Sequence, residues 1–164
     1  MARQSNASKV LIDLFEEHRQ QDLADARHYI HHSLPNYDAE DLRTHGLRHL
    51  PDDERRHVRD LMWLYDHIGL LVAYRYAELE PVAAYLGGSI VDTWAKTEPT
   101  VDGERRHRAI TDSADPGRYQ AYFQALAEEI AGTTVTDLRK LVKRRKSSWW
   151  RSGGGVRTIA APNG

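Results

Sequence analysis

Apolar residues recur every three or four positions along most of the chain, which is the period of an amphipathic α-helix. The clearest example is residues 51–76, where acids open the segment and apolar side chains then follow one face. Further apolar residues widen this face, which is typical of a helix enclosed on more than one side. No alternating run is long enough to indicate a strand. The pattern therefore predicts an all-α fold, a single-domain helical bundle of about six to eight helices.

In the N-terminal part, the pattern predicts one long helix or two end-to-end helices over residues 6–33. The polar run 18–22 is the place where such a helix would break. A short helix is expected over 38–46, because Asp38 is a favourable N-cap and Gly46 a favourable stop.

In the second half of the bundle, glycine and proline mark the expected helix ends. The dipeptide Gly87-Gly88 predicts a break in the chain. Separate helices are expected over 82–86, 89–97, 100–112 and 119–130.

Charge divides the chain more sharply than hydropathy does. Residues 139–164 contain eight Lys or Arg and no acid; removing those eight from the 23 basic residues of the whole chain leaves 15 against 24 acids. The net charges of the two parts are therefore −9 and +8. The sequence predicts an acidic helical bundle over 1–131, a basic C-terminal helix over 132–146 and a disordered, flexible tail over 147–164.

The basic segment is the strongest functional signal. Its cationic and aromatic residues are Arg139, Lys140, Lys143, Arg144, Arg145, Lys146, Trp149, Trp150 and Arg151. Basic side chains neutralise phosphates, and exposed indoles stack on unpaired bases or lie at a membrane interface. The alternatives are a solvated face, a segment folded against the acidic body or a contact with a protein partner. We interpret the chain as a non-enzymatic interaction or regulatory module that contacts a polyanion, with nucleic acid favoured over membrane.

Two copies of a Glu-x-x-His spacing offer an alternative function. Glu54 and His57 form one copy, and Glu104 and His107 form the other. Di-iron carboxylate bundles use two such pairs and a Glu from each of two other helices, for which the candidates here are Glu16 or Glu17 and Glu78 or Glu80. The alternative is therefore a di-metal carboxylate enzyme or metal-binding bundle. Arginines between each Glu and His argue against a cation site. The favoured prediction is therefore that the protein binds no cofactor and no metal.

Other histidines and one acid are also candidates. His28, His31 and His32 lie close together on one helix, and His45 and His49 have i, i+4 spacing, so either set has the donors for a metal. Solvated histidines at the edge of the core are the preferred interpretation. Asp66 lies within the apolar central helix, and we interpret it as an ion-pair partner of an arginine such as Arg27 or Arg75.

Composition and the N-terminal sequence restrict the possible classes of protein further. The chain has no Cys, which excludes a disulfide scaffold, thiolate catalysis and Cys-ligated zinc. The polar N-terminus has no signal-peptide pattern and no apolar run is long enough to span a bilayer, so a cytoplasmic location is expected. A homodimer is also expected, because Trp63, Tyr85 and Trp94 exceed what one small core buries.

The central block resembles a set of small bacterial helical proteins that are grouped as a domain of unknown function. The resemblance rests on Leu64-Tyr-Asp-His-Ile-Gly-Leu-Leu-Val-Ala-Tyr, on Val82-Ala-Ala-Tyr-Leu-Gly and on Ile90-Val-Asp-Thr-Trp94 before Pro99. It covers about residues 10–130 and excludes the basic segment. It implies a helical fold and brings no activity and no catalytic residues.

Overall fold

The computed structural model describes residues 2–111 and 114–133, and the predicted basic helix and tail lie outside this part from residue 134 onward. The chain divides into the units Met1–Gly132 and Thr133–Gly164, and the fold below is that of the first. Within the described residues there are six α-helices and no strand. The helices are α1 (Ala2–His18), α2 (Gln21–His32), α3 (Ala39–His45), α4 (Asp52–Ala73), α5 (Leu79–Thr111) and α6 (Ala121–Ala131). The predicted all-α class is confirmed.

The helix α4 contributes the centre of the core, as its wide apolar face predicts. Its Val58, Leu61, Met62, Tyr65 and Ile68 are fully buried. They pack towards α2 and α6, which both contact α4. Complete burial of one such side chain stabilises a fold by about 1.5–3 kcal/mol, so α4 holds the bundle together.

The predicted helix ends in the N-terminal part of the chain are confirmed. The first helical stretch breaks between His18 and Gln21, inside the polar run. At the start of α3, the Asp38 carboxylate accepts hydrogen bonds from the backbone N–H groups of Glu40 and Asp41, at 2.8 and 3.2 Å. Gly46 ends this helix with φ +61°, a conformation that glycine adopts without steric cost.

The predicted break at Gly87-Gly88 is wrong. The helix α5 continues for 33 residues through both glycines and through Pro99, so the three helices expected there are one. Gly87 is buried, and a Cβ at this position would lie 3.0 Å from Cγ2 of Ile130. The glycine therefore allows α6 to approach α5. Tertiary packing outweighs the loss of about 1 kcal/mol of helix propensity at each glycine.

The end of α3 and the helix α5 approach each other closely at two glycines, Gly46 and Gly103. A Cβ at Gly103 would overlap the carbonyl oxygen of Leu42 and the backbone nitrogen of Gly46. Because neither glycine carries a side chain, the end of α3 lies directly against α5. This contact brings residues 44–49 beside residues 104–110.

Candidate functional site

The first Glu-x-x-His copy is a structural contact. The hydroxyls of Tyr29 and Tyr37 both donate to Oε2 of Glu54, the second at 2.7 Å. The Tyr29 hydroxyl is the main cause that lowers the pKa of Glu54, and the Tyr37 hydroxyl adds to it. The His57 ring stacks on Tyr29 with 5.8 Å between ring centroids. This copy therefore joins α2 and the turn after it to the start of α4.

The second copy has another task. Oε1 of Glu104 accepts a hydrogen bond from the backbone N–H of Leu47 at 3.0 Å and lies 3.7 Å from Nη2 of Arg48. Glu104 thus fixes the turn that follows α3 against α5. In the described part of the chain, no three His, Asp or Glu side chains form a group that could hold a metal ion. The structure therefore does not bring the two copies together at a dinuclear site. The residues concerned are Glu54, His57, Glu104 and His107.

An open cleft of about 540 Å³ lies where the end of α3 meets α5. Its lining residues are Thr44, His45, Arg48, His49, Arg106, His107 and Ile110. Two guanidinium groups and three imidazoles face this space, and none of the lining residues is acidic. We call it the cationic cleft.

Local sequence explains how these side chains come together. His45 and His49 are four residues apart across the turn at Gly46, and their rings stack with 5.8 Å between centroids and 13° between planes. On α5, Arg106 and Ile110 have i, i+4 spacing and so lie on one side of the helix, with His107 beside them. The glycine contact between α3 and α5 then places the two sets across one cleft.

Acids lie next to the cleft and hold some of its side chains. Oδ2 of Asp41 is 4.0 Å from Nε2 of His49, and Glu104 is close to Arg48 as described. Arg106 and His107 form no ion pair with any residue that the structure describes. Within the described residues, the Arg106 charge and the N–H groups of both side chains are therefore not engaged by an acid.

The histidines of α2 do not form a metal group with any other described residue. The rings of His28 and His32 stack with 4.5 Å between centroids. Burial lowers the pKa of His31, and the charge of Lys96 lowers it further.

Within the part of the chain that the structure describes, the expected ion pair of Asp66 with Arg27 or Arg75 is not present. Its Oδ1 accepts a hydrogen bond from the backbone N–H of Phe123 at 2.9 Å, in the first turn of α6. Burial raises the pKa of this carboxyl. Arg27 instead donates to the backbone carbonyl of His18. Asp66 therefore satisfies a free N–H group at a helix start, a role that helix ends require and that sequence spacing does not reveal.

A buried polar network has no counterpart among the sequence predictions. Nε2 of His18 lies 3.0 Å from the hydroxyl of Tyr65, which lies 2.6 Å from Oγ of Ser89. Burial lowers the pKa of His18 to about 4, and the charge of Arg27 acts in the same direction. The network links α1, α4 and α5. His18 and Tyr65 are 47 positions apart in the sequence, and Tyr65 and Ser89 are 24 apart, so no local motif predicts the network.

Two of the three aromatic residues expected at an interface are exposed. Trp63 and Tyr85 expose more than half of their surface. Trp94 is half-buried and packs edge-on against Phe123 with 5.1 Å between ring centroids.

The predicted polyanion-binding residues, Arg139 to Arg151, lie outside the described residues. Among the helices within residues 2–111 and 114–133, none is both long and apolar enough to cross a bilayer.

Comparison with curated proteins gives no match. Comparison with solved structures gives none either. A family model does match, over residues 1–130, which are the helical bundle without the basic segment. This confirms the resemblance drawn from the central block. The chain belongs to the family described as a domain of unknown function (DUF4760).

Proposed function

We propose that this protein is a non-enzymatic module that binds an anionic ligand in the cationic cleft. The observation that carries the proposal is the convergence of two guanidinium groups and three imidazoles on one cleft. The part of the chain before residue 139 has a net charge of −9, yet two arginines and three histidines line one cleft with no acid among them. Glu104 and Asp41 lie beside the cleft, but no ion pair within the described residues compensates the charge of Arg106.

The chemistry of the lining supports binding of an oxyanion. Guanidinium groups present several N–H donors in a planar fork that matches carboxylate and phosphate oxygens. Imidazoles and the Thr44 hydroxyl add single donors. Together they provide both charge and directed hydrogen bonds.

Inorganic phosphate is the probe that tests this function. The full chain is titrated with phosphate, and the NMR signals of the three imidazoles are recorded. We expect all three signals to shift together. The double variant Arg48→Gln, Arg106→Gln should weaken binding at least tenfold, because a hydrogen bond to a charged group contributes about 1.5–3 kcal/mol.

The matched control is Arg59→Gln with Arg118→Gln. These arginines are outside the cleft and pair with Asp60 and Asp115 at 3.1 and 3.2 Å. The control removes the same net charge and should leave phosphate binding unchanged. Equal weakening in both double variants would mean that phosphate senses only net charge, and the cleft would then have no binding role.

A second candidate function rests on the charge pattern of the sequence. We propose that residues 139–151 contact a polyanion, with cytoplasmic nucleic acid favoured over anionic membrane or a protein partner. Six basic residues between 139 and 146 are followed by two adjacent tryptophans and Arg151. Replacing Trp149 and Trp150 by Ala in the full chain should weaken binding to single-stranded nucleic acid more than to duplex, because indoles stack on unpaired bases. Equal effects on both would remove the stacking role.

We also propose that the exposed Trp63 and Tyr85 support a homodimer. Trp63→Gln with Tyr85→Gln should then shift the mass measured by sedimentation towards the monomer. An unchanged mass would exclude these residues from the interface.

A further inference from the structure

We infer that the ligand of the cationic cleft is a small phosphomonoester with a flat organic body, bound by its phosphoryl group at the arginines and by its ring at the imidazoles. This inference rests on the proposed function and adds the class of ligand.

The size of the cleft exceeds that of an inorganic anion. A water molecule takes about 30 Å³ of liquid volume, and a phosphate ion displaces only a few waters. The cleft measures about 540 Å³, within the range of roughly 300–1,000 Å³ that is typical of sites for organic ligands. A phosphate ion would therefore occupy only a small part of the cleft.

The lining has two kinds of surface. Arg48 and Arg106 carry the permanent charge that a phosphoryl group needs. The rings of His45 and His49 are nearly parallel, and Tyr37 packs edge-on against His49 at 81° and 5.7 Å. This contact from outside the cleft holds the imidazole in place. Because the two imidazoles already stack on each other, a planar heterocycle of the ligand would extend this stack.

Ile110 completes the second surface. It exposes 84% of its surface and lies on the rim of the cleft. Such an exposed aliphatic side chain gains by contact with an organic body, since this contact removes apolar surface from water. A phosphate ion offers it nothing.

The neighbouring acids select the charge of the phosphoryl group. Glu104 lies 3.7 Å from the Arg48 guanidinium and Asp41 lies 4.0 Å from His49, so a ligand must compete with carboxylates for both side chains. A monoester phosphate carries close to two negative charges at neutral pH, and a phosphodiester carries one. The terminal phosphate therefore competes better than the backbone of a nucleic acid.

Calorimetric titration of the full chain with four probes tests the inference. Adenosine 5′-monophosphate is the flat-bodied phosphomonoester, and glycerol phosphate has the same charged group without a ring. Inorganic phosphate has no organic body, and the dinucleotide adenylyl-adenosine has rings and a diester only. We expect the nucleotide to bind at least tenfold tighter than each of the other three.

Two variants link this preference to the cleft. Ile110→Gln changes an exposed side chain and should weaken nucleotide binding several-fold while phosphate binding stays the same. Arg106→Gln should weaken both by about tenfold or more. Ala109→Gln, at a neighbouring exposed position outside the cleft lining, is the control and should change neither.

The outcomes separate this inference from the proposed function. If all phosphates bind equally and Arg106→Gln weakens each, the cleft is a simple anion site: the proposed function stands and the inference is wrong. If the dinucleotide binds as tightly as the nucleotide, the phosphomonoester is not what is recognised, and the inference is wrong again. If no probe binds, both are overturned.

Discussion

Burial sets the protonation state of His18 and thereby the role of the network around it. His18 has only 9% of its surface exposed, and its imidazole is hydrogen-bonded to Tyr65, which is itself hydrogen-bonded to Ser89. Because its pKa falls to about 4, the ring is neutral at neutral pH. A neutral ring avoids the cost of a buried charge beside Arg27 and holds α1 to the core.

This state predicts a loss of stability in acid. An unfolded histidine takes up a proton near pH 6.5, whereas folded His18, with its lowered pKa, does so at about 4. Between these values the unfolded state binds more protons, so the free energy of unfolding falls as the pH is lowered from 6.5 to 4. We expect a contribution of about 2 kcal/mol, after allowance for screening by solvent.

Urea unfolding at pH 7 and pH 4.5 measures this contribution. His18→Gln cannot titrate and should lose less stability between the two pH values than the unchanged chain. His28→Gln, which removes a histidine outside the network, is the control and should retain the full loss. Identical pH profiles for His18→Gln and the unchanged chain would show that His18 carries no such linkage.

Asp66 gives a second test on single residues. Its carboxylate caps α6 through the N–H of Phe123, so Asp66→Ala should lower the free energy of unfolding by about 1–2 kcal/mol. Asp66→Asn keeps an acceptor oxygen, and burial, which raises the pKa of this carboxyl, already disfavours its charged form. We expect the Asn variant to lose less than half as much in urea unfolding. Equal losses would mean that the charge, and not the cap, is what stabilises the fold.

Helix ends are predictable where a side chain caps them locally and unpredictable where packing decides. Asp38 and Gly46 each act on the helix end next to them, so the short helix α3 can be predicted from the sequence alone. Gly87, Gly88 and Pro99 carry the same kind of local signal, but α5 runs through them. At Gly87, the contact with Ile130 of α6 outweighs the local preference, and the residues next to this glycine in the sequence do not reveal that contact.

Two glycine substitutions on α5 test this interpretation. Nothing lies within 4 Å of a Cβ at Gly88, so Gly88→Ala should raise the free energy of unfolding by about 0.5–1 kcal/mol through helix propensity. At Gly103 the same change overlaps the backbone of α3 and should cost about 1–3 kcal/mol or more. Urea denaturation of both variants measures the difference. A decrease in stability at Gly88 would indicate that the helix does break there.

The candidate site is partly visible in the sequence, but with the wrong chemistry. Spacing marks His45, His49 and His107 as possible metal ligands. In that interpretation, the arginine beside His107 counts only as evidence against a bound cation. In the structure, Arg106 and Arg48 share the cleft with these histidines, so the arginines are part of the site. The convergence depends on the glycine contact between α3 and α5. That contact joins residues nearly 60 positions apart, beyond the reach of spacing rules.

On the scale of the whole molecule, two regions of positive charge accompany an acidic body. One is the cationic cleft, which is built by the fold, and the other is the basic segment, which is apparent from composition alone. They differ in the ligand that they suit. A cleft of limited volume takes one small anion, whereas a linear run of charges matches the repeating phosphates of a polymer.

The two regions should therefore be separable by mutation. Replacing Lys143, Arg144 and Arg145 by Gln in the full chain should reduce the slope of log K against log salt for single-stranded nucleic acid by about 0.7 for each phosphate that the variant no longer neutralises. The same variant should bind adenosine 5′-monophosphate unchanged. Arg48→Gln with Arg106→Gln should do the reverse, because the cleft holds one phosphoryl group and the polymer does not need it. If the cleft variant weakens binding of both ligands equally, the two ligands do not bind independently, and the division into two sites is wrong.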